Sequence, residues 1–75
     1  MTIDHGAATP VWRQLAQILR DRIASGQYPP GRVMPSEKQL EQETGLSRNT
    51  IRKAIAQLRS EDLVITVTGR GTYVR

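Results

Sequence analysis

The strongest periodic pattern of apolar residues lies in the second half of the chain. Four apolar residues recur at i, i+3, i+4 and i+7, which places them on one face of a helix; they are Ile51, Ala54, Ile55 and Leu58. Ser47 precedes the pattern and is a suitable N-cap, because its hydroxyl can accept a hydrogen bond from the first helical turn. The pattern predicts a helix over about residues 47–61.

An earlier helical pattern starts near the amino terminus. Apolar residues follow helical spacing from Val11 to Ile23, and Thr9-Pro10 resembles an N-cap followed by proline at the first helical position. Together these features predict a helix over about residues 10–25.

A loop follows this helix. Gly26 and the two prolines within residues 27–31 cannot continue a helix. Met34 precedes Pro35 and is therefore biased toward the β region. Residues 32–34 are accordingly predicted to form a short extended piece.

A second helix is predicted between these two. Ser36 and Gln39 match a capping box, in which each side chain bonds the other residue's backbone N–H. Gly45 suits the left-handed position that ends many helices. About three residues around this glycine lead to the helix capped by Ser47, which is the spacing of a helix-turn-helix.

The last part of the chain predicts a β-hairpin. Residues 64–68 are entirely β-branched, residues 69–71 form a tight turn, and residues 72–75 return. A two-stranded hairpin is unstable alone and must pack on the helices. The predicted class is α+β, mainly α: a winged helix-turn-helix over residues 10–75, preceded by a disordered lead over residues 1–9.

Charge is distributed unevenly between the two parts of the chain. Residues 1–45 carry five basic and five acidic side chains, whereas residues 46–75 carry six basic and two acidic ones. The whole net charge of +4 therefore belongs to the helix-and-hairpin half. Such asymmetry indicates a polyanionic partner for that half.

The start of the third predicted helix carries side chains that can read DNA bases. Arg48 and Arg52 could each pair bidentately with guanine, and Asn49 with adenine. Lys53 adds a further charge, and Arg70 between two glycines could enter a minor groove or touch a phosphate. The alternatives are a solvated surface helix decorated with basic residues and a flexible, solvated turn.

Other kinds of site find little support. The chain has no cysteine, and its single histidine, His5, lies in the polar lead, so no metal site, cofactor or catalytic residue is expected. Glu37 and Glu41 are one helical turn apart and are interpreted as solvated surface.

Trp12 is predicted to pack in or near the core rather than stack on a base. No apolar run is long enough to span a membrane, and an enzyme is not expected.

Three segments resemble the GntR family of bacterial transcription regulators. The segment 30–40 is similar to the family signature P-G-x-x-L-P-S-E-R-x-L, and 45–52 is similar to G-V-S-R-x-T-V-R. The segment 69–74 resembles the wing motif G-x-G-T-F/Y-V, with loose similarity to the HutC-like branch. The resemblance covers roughly residues 10–75.

The resemblance implies a set of DNA-contacting residues. Lys38 stands where the family usually has an arginine, which favours a phosphate contact over base readout. Glu41 replaces a small residue, and Asp62 replaces a glycine, so helix two could be looser and the turn after helix three strained. The implied DNA-binding residues are Ser36, Lys38, Ser47, Arg48, Asn49, Thr50, Arg52, Lys53, Gly69, Arg70 and Gly71.

The resemblance also implies a function. We expect a cytoplasmic repressor whose recognition helix lies in the major groove of double-stranded operator DNA, with the wing tip at the minor groove. Family members dimerise through a C-terminal effector domain. We therefore expect a dimeric full-length regulator and a monomeric isolated domain. A winged helix that binds protein or RNA is the alternative, and would need an apolar or acidic face on the third helix.

Overall fold

Three helices and one antiparallel hairpin make up the computed structural model, which describes residues 2–75. This order confirms the predicted winged helix-turn-helix class. Met1, the first residue of the predicted lead, lies outside the described residues. The elements are α1 (Val11–Ala24), α2 (Glu37–Thr44), α3 (Arg48–Ser60), β1 (Val64–Val67) and β2 (Gly71–Val74).

Local capping contacts set the ends of α2 and α3. The Ser36 hydroxyl accepts a hydrogen bond from the Gln39 backbone N–H at 3.1 Å, and the Gln39 side chain accepts one from the Ser36 N–H at 2.8 Å. Gly45 ends α2 with φ 71°, and Ser47 caps α3 by accepting from the Thr50 N–H at 3.2 Å. The capping box and the glycine stop are confirmed, and α2 is an intact two-turn helix.

The start of α1 differs from the prediction by one residue. Pro10, rather than Thr9, occupies the N-cap position, and its carbonyl accepts from the Arg13 N–H at 3.0 Å. The Gln14 side chain bonds the Asp4 N–H and carbonyl, both at 2.8 Å, and the Thr9 carbonyl at 2.9 Å. These contacts tie part of the predicted lead to α1.

The core is aliphatic and lies where the three helices meet the hairpin. Its largest fully buried side chains are Leu15, Leu19, Leu40, Ile51, Leu58 and Val64. Leu40 is the one buried residue of α2 and is 0% exposed, so it anchors an otherwise polar helix against α3. Burying one such side chain contributes roughly 1.5–3 kcal/mol.

The hairpin carries a third extended piece along its outer edge. Strand β1 pairs with β2 in the register Val64↔Val74 to Val67↔Gly71. Residues 32–34 lie along the other side of β2, with the Met34 N–H bonded to the Thr72 carbonyl at 2.7 Å. The extended conformation predicted for this piece is confirmed, and its pairing attaches the wing to the chain before α2.

The wing tip lies one residue earlier than predicted. The turn comprises residues 68–70, and the Arg70 N–H bonds the Val67 carbonyl at 2.9 Å. Gly71 belongs to β2, where φ is 118° and an added Cβ would lie 3.3 Å from a Val33 methyl group. Glycine at this position therefore serves the close approach of the two extended segments.

Candidate nucleic-acid interface

The first turns of α3 combine a buried face with an exposed basic one. Ile51 and Ile55 are buried, whereas Arg48, Asn49 and Arg52 are exposed. The exposed fractions of the Arg48 and Arg52 side chains are 53% and 59%. Packing of the apolar stripe thus turns the polar side chains of this helix outward.

Three structural elements each place one basic side chain at the same open groove. The groove has a volume of about 550 Å³ and lies between the start of α2, the start of α3 and the wing. Lys38 comes from α2, Arg48 from α3 and Arg70 from the wing turn. Ser36 and Gly71 also line it. Glu37 lines the groove as well, so the fold brings three basic side chains and one carboxylate together there.

A second depression continues along α3. Arg52 and Arg59 line it together with Thr66 and Thr72 of the hairpin, and its volume is about 370 Å³. Arg59, Thr66 and Thr72 were not among the predicted site residues. A signal existed for Arg59, because Arg48, Arg52 and Arg59 follow helical spacing along one side of α3.

Two carboxylates of α2 pair with the two arginines at the start of α3. The Arg48 Nε lies 3.1 Å from Glu41 Oε1 and 3.9 Å from Glu37 Oε1. The Arg52 Nε lies 3.2 Å from both carboxylate oxygens of Glu37. Glu37 and Glu41 are 35% and 29% exposed, so both lie at the surface, and each is paired with an arginine as well as solvated. The two carboxylates lie one helical turn apart on α2 and face Arg48 and Arg52 on α3.

These ion pairs leave the outer edges of both guanidinium groups open. Within residues 2–75, the side-chain hydrogen bonds of Arg48 and Arg52 come from Nε alone. The Nη1 and Nη2 atoms therefore retain donors for a ligand. A guanidinium edge with two parallel donors matches the acceptor pair of a guanine or two oxygens of a phosphate.

The two serines predicted at the interface serve as helix caps. Ser36 bonds within its capping box, and the Ser47 hydroxyl lies 3.0 Å from the Thr50 hydroxyl as well as bonding its N–H. Thr50 is therefore held against the cap at the start of α3. These contacts fix the direction in which both helices begin.

Lys53 lies apart from the groove. Its Nζ is 5.2 Å from the centroid of the Trp12 ring, and the guanidinium of Arg13 lies at the same distance. The ring is half-buried and lies outside both the cluster of core side chains and the apolar residues packed against it, so the predicted packing in or near the core is not confirmed. The cation–π contact between Lys53 and Trp12 holds the Lys53 ammonium group on the α1 side of α3.

Two further features are absent from the part of the chain that the structure describes: a metal-binding cluster and a membrane-spanning helix. Among residues 2–75, no three His, Asp or Glu side chains are grouped closely enough to hold a metal ion. None of the described helices has the length and apolar character needed to cross a membrane.

An exposed basic helix, a capped partner helix and an arginine-tipped hairpin define a winged helix-turn-helix domain. The model of the gntR family of bacterial regulatory proteins matches residues 12–74, and the chain belongs to this family. The family predicted from the three motifs is therefore confirmed.

The curated relatives include transcription regulators. The chain is 41% identical over 66 residues to the mannosyl-D-glycerate transport/metabolism system repressor MngR of Escherichia coli (strain K12), covering 88% of the chain and 28% of that protein. It is 37% identical over 65 residues to the histidine utilization repressor of Pseudomonas aeruginosa, covering 87% of the chain and 26% of that protein. The chain thus spans less than a third of these relatives.

A solved structure of a complex extends the likeness. The DNA-binding domain of AraR in complex with operator ORR3 superposes with a TM-score of 0.87 at 35% identity. The match covers 100% of this chain and 90% of that one.

Proposed function

We propose that this chain binds double-stranded operator DNA in a sequence-specific manner, as the operator-binding part of a bacterial repressor. The observation that carries the proposal is the groove in which Lys38, Arg48 and Arg70 converge from three elements beside the exposed start of α3. The likeness to the AraR domain in complex with its operator supports it.

In this proposal, α3 enters the major groove with its first turns. Arg48, Asn49 and Arg52 face base edges and phosphates, where arginine recognises guanine and asparagine recognises adenine. Arg70 at the wing tip lies at the adjacent minor groove, and Lys38 contacts a phosphate. Lys53 contributes through long-range attraction, since its ammonium group packs on Trp12.

Protein or RNA binding is the less favoured function. Such a partner would need an apolar or acidic outer face on α3, and residues 48–60 contain four basic side chains and no acidic one. No catalytic, metal or cofactor function is proposed.

The full-length regulator is proposed to act in the bacterial cytoplasm as a dimer. One domain presents only one recognition helix, so a second copy on a pseudo-palindrome supplies additional affinity and sets the spacing of the half-sites. Dimerisation through a further C-terminal domain fits the length of the relatives, of which the chain spans less than a third. The isolated domain is then a monomer.

Selection from a random duplex library, followed by an NMR titration, tests the proposal. The chain should enrich a defined sequence, and the enriched duplex should shift the amide signals of residues 36–52 and 68–71. The logarithm of its affinity should fall against the logarithm of salt concentration by about 0.9 per phosphate neutralised. Enrichment of no sequence, or shifts confined to α1, would rule the proposal out.

A further inference from the structure

Glu41 occupies a position in α2 that helix formation alone does not favour. It lies in the last turn of the helix, where the dipole disfavours a carboxylate. Its side chain reaches across to α3 and accepts a hydrogen bond from the Arg48 Nε at 3.1 Å. The contact with Arg48 accounts for an acidic residue at this place.

We propose that Glu41 is a positioning residue for DNA readout: it holds the Nε edge of Arg48, so that the Nη1 and Nη2 edge is presented to a guanine. This inference rests on the proposed function of α3 in DNA binding. Glu41 itself need not touch DNA.

The geometry supports a fixed orientation of Arg48. Glu41 is 29% exposed, less than the 53% of Arg48, and Glu37 stands 3.9 Å from the same Nε. Arg48 is thus bonded from the α2 side through its Nε and is one of the residues that line the groove. An arginine that is oriented before binding loses less side-chain freedom when it pairs with a base.

Charge compensation adds a second effect. The Arg48 and Glu41 side chains together carry no net charge, so their pair gains little from a phosphate alone. A guanine offers two directed acceptors to the Nη1 and Nη2 atoms, and this pairing is weakened less by the nearby carboxylate than a phosphate contact is. Glu41 therefore weakens non-specific binding more than specific binding. This difference increases the specificity of the domain for its own sequence.

Two variants separate orientation from charge. Glu41→Gln removes the charge and leaves a weaker acceptor, whereas Glu41→Asp keeps the charge but shortens the side chain by one methylene group. Glu43→Gln is the matched control, because Glu43 belongs to the same helix but bonds Arg22 of α1, at 2.7 Å. Circular dichroism melts establish that each variant is folded.

The test measures affinity for the duplex that the wild-type chain enriches and for a scrambled duplex of the same composition. Glu41→Gln should lower the ratio of the two affinities by about 10-fold and steepen the salt slope on scrambled DNA by about 0.9. Glu41→Asp should lower the ratio with the salt slope unchanged. Glu43→Gln should leave both quantities as in the wild type.

An NMR signature gives an independent readout without DNA. The Arg48 Nε–H signal should shift in Glu41→Gln and stay unchanged in Glu43→Gln. If Glu41→Gln keeps the wild-type ratio and slope while the wild type still selects its duplex, the positioning role is wrong and the proposed function stands. If the wild type selects no duplex, both the inference and the proposed function fail.

Discussion

Arg52 and Glu37 form an ion pair in which one donor faces two acceptors. The Arg52 Nε lies 3.2 Å from each carboxylate oxygen of Glu37, while the Arg52 side chain is 59% exposed. Exposed pairs of this kind contribute about 0–1 kcal/mol to stability. The contact therefore adds little to stability, and more than half of the Arg52 side chain remains exposed to solvent.

Replacing Arg52 by alanine should separate DNA binding from folding. Arg52→Ala is expected to weaken binding to the enriched duplex by about 1–3 kcal/mol, because the proposed bidentate base contact is lost. The free energy of unfolding should change by less than about 1 kcal/mol. Fluorescence anisotropy and urea titration measure the two effects. Arg75→Ala removes the same charge from an exposed pair with Asp62 and should leave DNA affinity almost unchanged.

The wing is expected to contribute to DNA affinity without regard to base sequence, unlike Arg52. Arg70→Ala should weaken binding to enriched and scrambled duplexes alike and reduce the salt slope by about 0.9, because the contact proposed for Arg70 is to the backbone or the narrow minor groove. Anisotropy titrations between low and high salt measure it. Thr68→Ala, in the same turn, is the control. An Arg70→Ala slope equal to that of the wild type would remove the wing tip from the interface.

The elements predicted from sequence are those that neighbouring residues determine. Ser36 and Gln39 cap each other within one turn, and Gly45 and Ser47 act on the helices that they adjoin. Each of these contacts spans three or four residues. Their geometry therefore follows from residue type and spacing, and the helix-turn-helix could be placed to within one or two residues.

The contacts that sequence could not predict depend on how helices cross. The pairing of Glu37 with Arg52 joins residues 15 apart and requires the packing angle between α2 and α3. The position of Lys53 above Trp12 requires the packing of α1 on α3. A basic side chain near the start of α3 can face either α1 or α2. The apolar stripe of α3 alone does not decide which of the two helices it faces.

The strand pairing at the wing shows the same limit. Met34 before Pro35 predicts an extended segment, yet only the three-dimensional structure pairs Val33 with Tyr73. That pairing explains Gly71 by its close approach to Val33 rather than by the turn.

Acid should weaken the link between α1 and the end of α3. Arg20 donates to both oxygens of Glu61, at 2.8 and 2.7 Å, and with Gln57 lowers the pKa of Glu61 from 4.5 to about 2. A lowered folded-state pKa stabilises the fold above pH 4.5, and this contribution is lost as the pH falls toward 2.

Glu61→Gln should remove this part of the acid sensitivity. Unfolding by urea at several pH values between 7 and 2 measures it: the variant should lose less stability than the wild type over pH 4.5 to 2. Arg20→Gln should flatten the same region, since it removes the other half of the pair. A Glu61→Gln profile parallel to that of the wild type would contradict the assignment.

Asp62 adopts a backbone conformation that favours glycine, in the turn between α3 and β1. Its φ is 61°, the only positive value for a non-glycine residue within residues 2–75. This agrees with the strain expected from an aspartate in place of glycine. The Asp62 side chain is 84% exposed, and its pair with Arg75 at 3.2 Å adds little to stability.

Asp62→Gly should therefore stabilise the domain by about 0.5–1 kcal/mol, after the greater flexibility of glycine in the unfolded chain is deducted. For a domain of this size the melting temperature should rise by about 2–8 °C. Asp62→Ala is the control, because it removes the same carboxylate but keeps the Cβ atom in the left-handed region, and it should lower the melting temperature. Equal melting temperatures for the two variants would show that the backbone at this turn relaxes without cost.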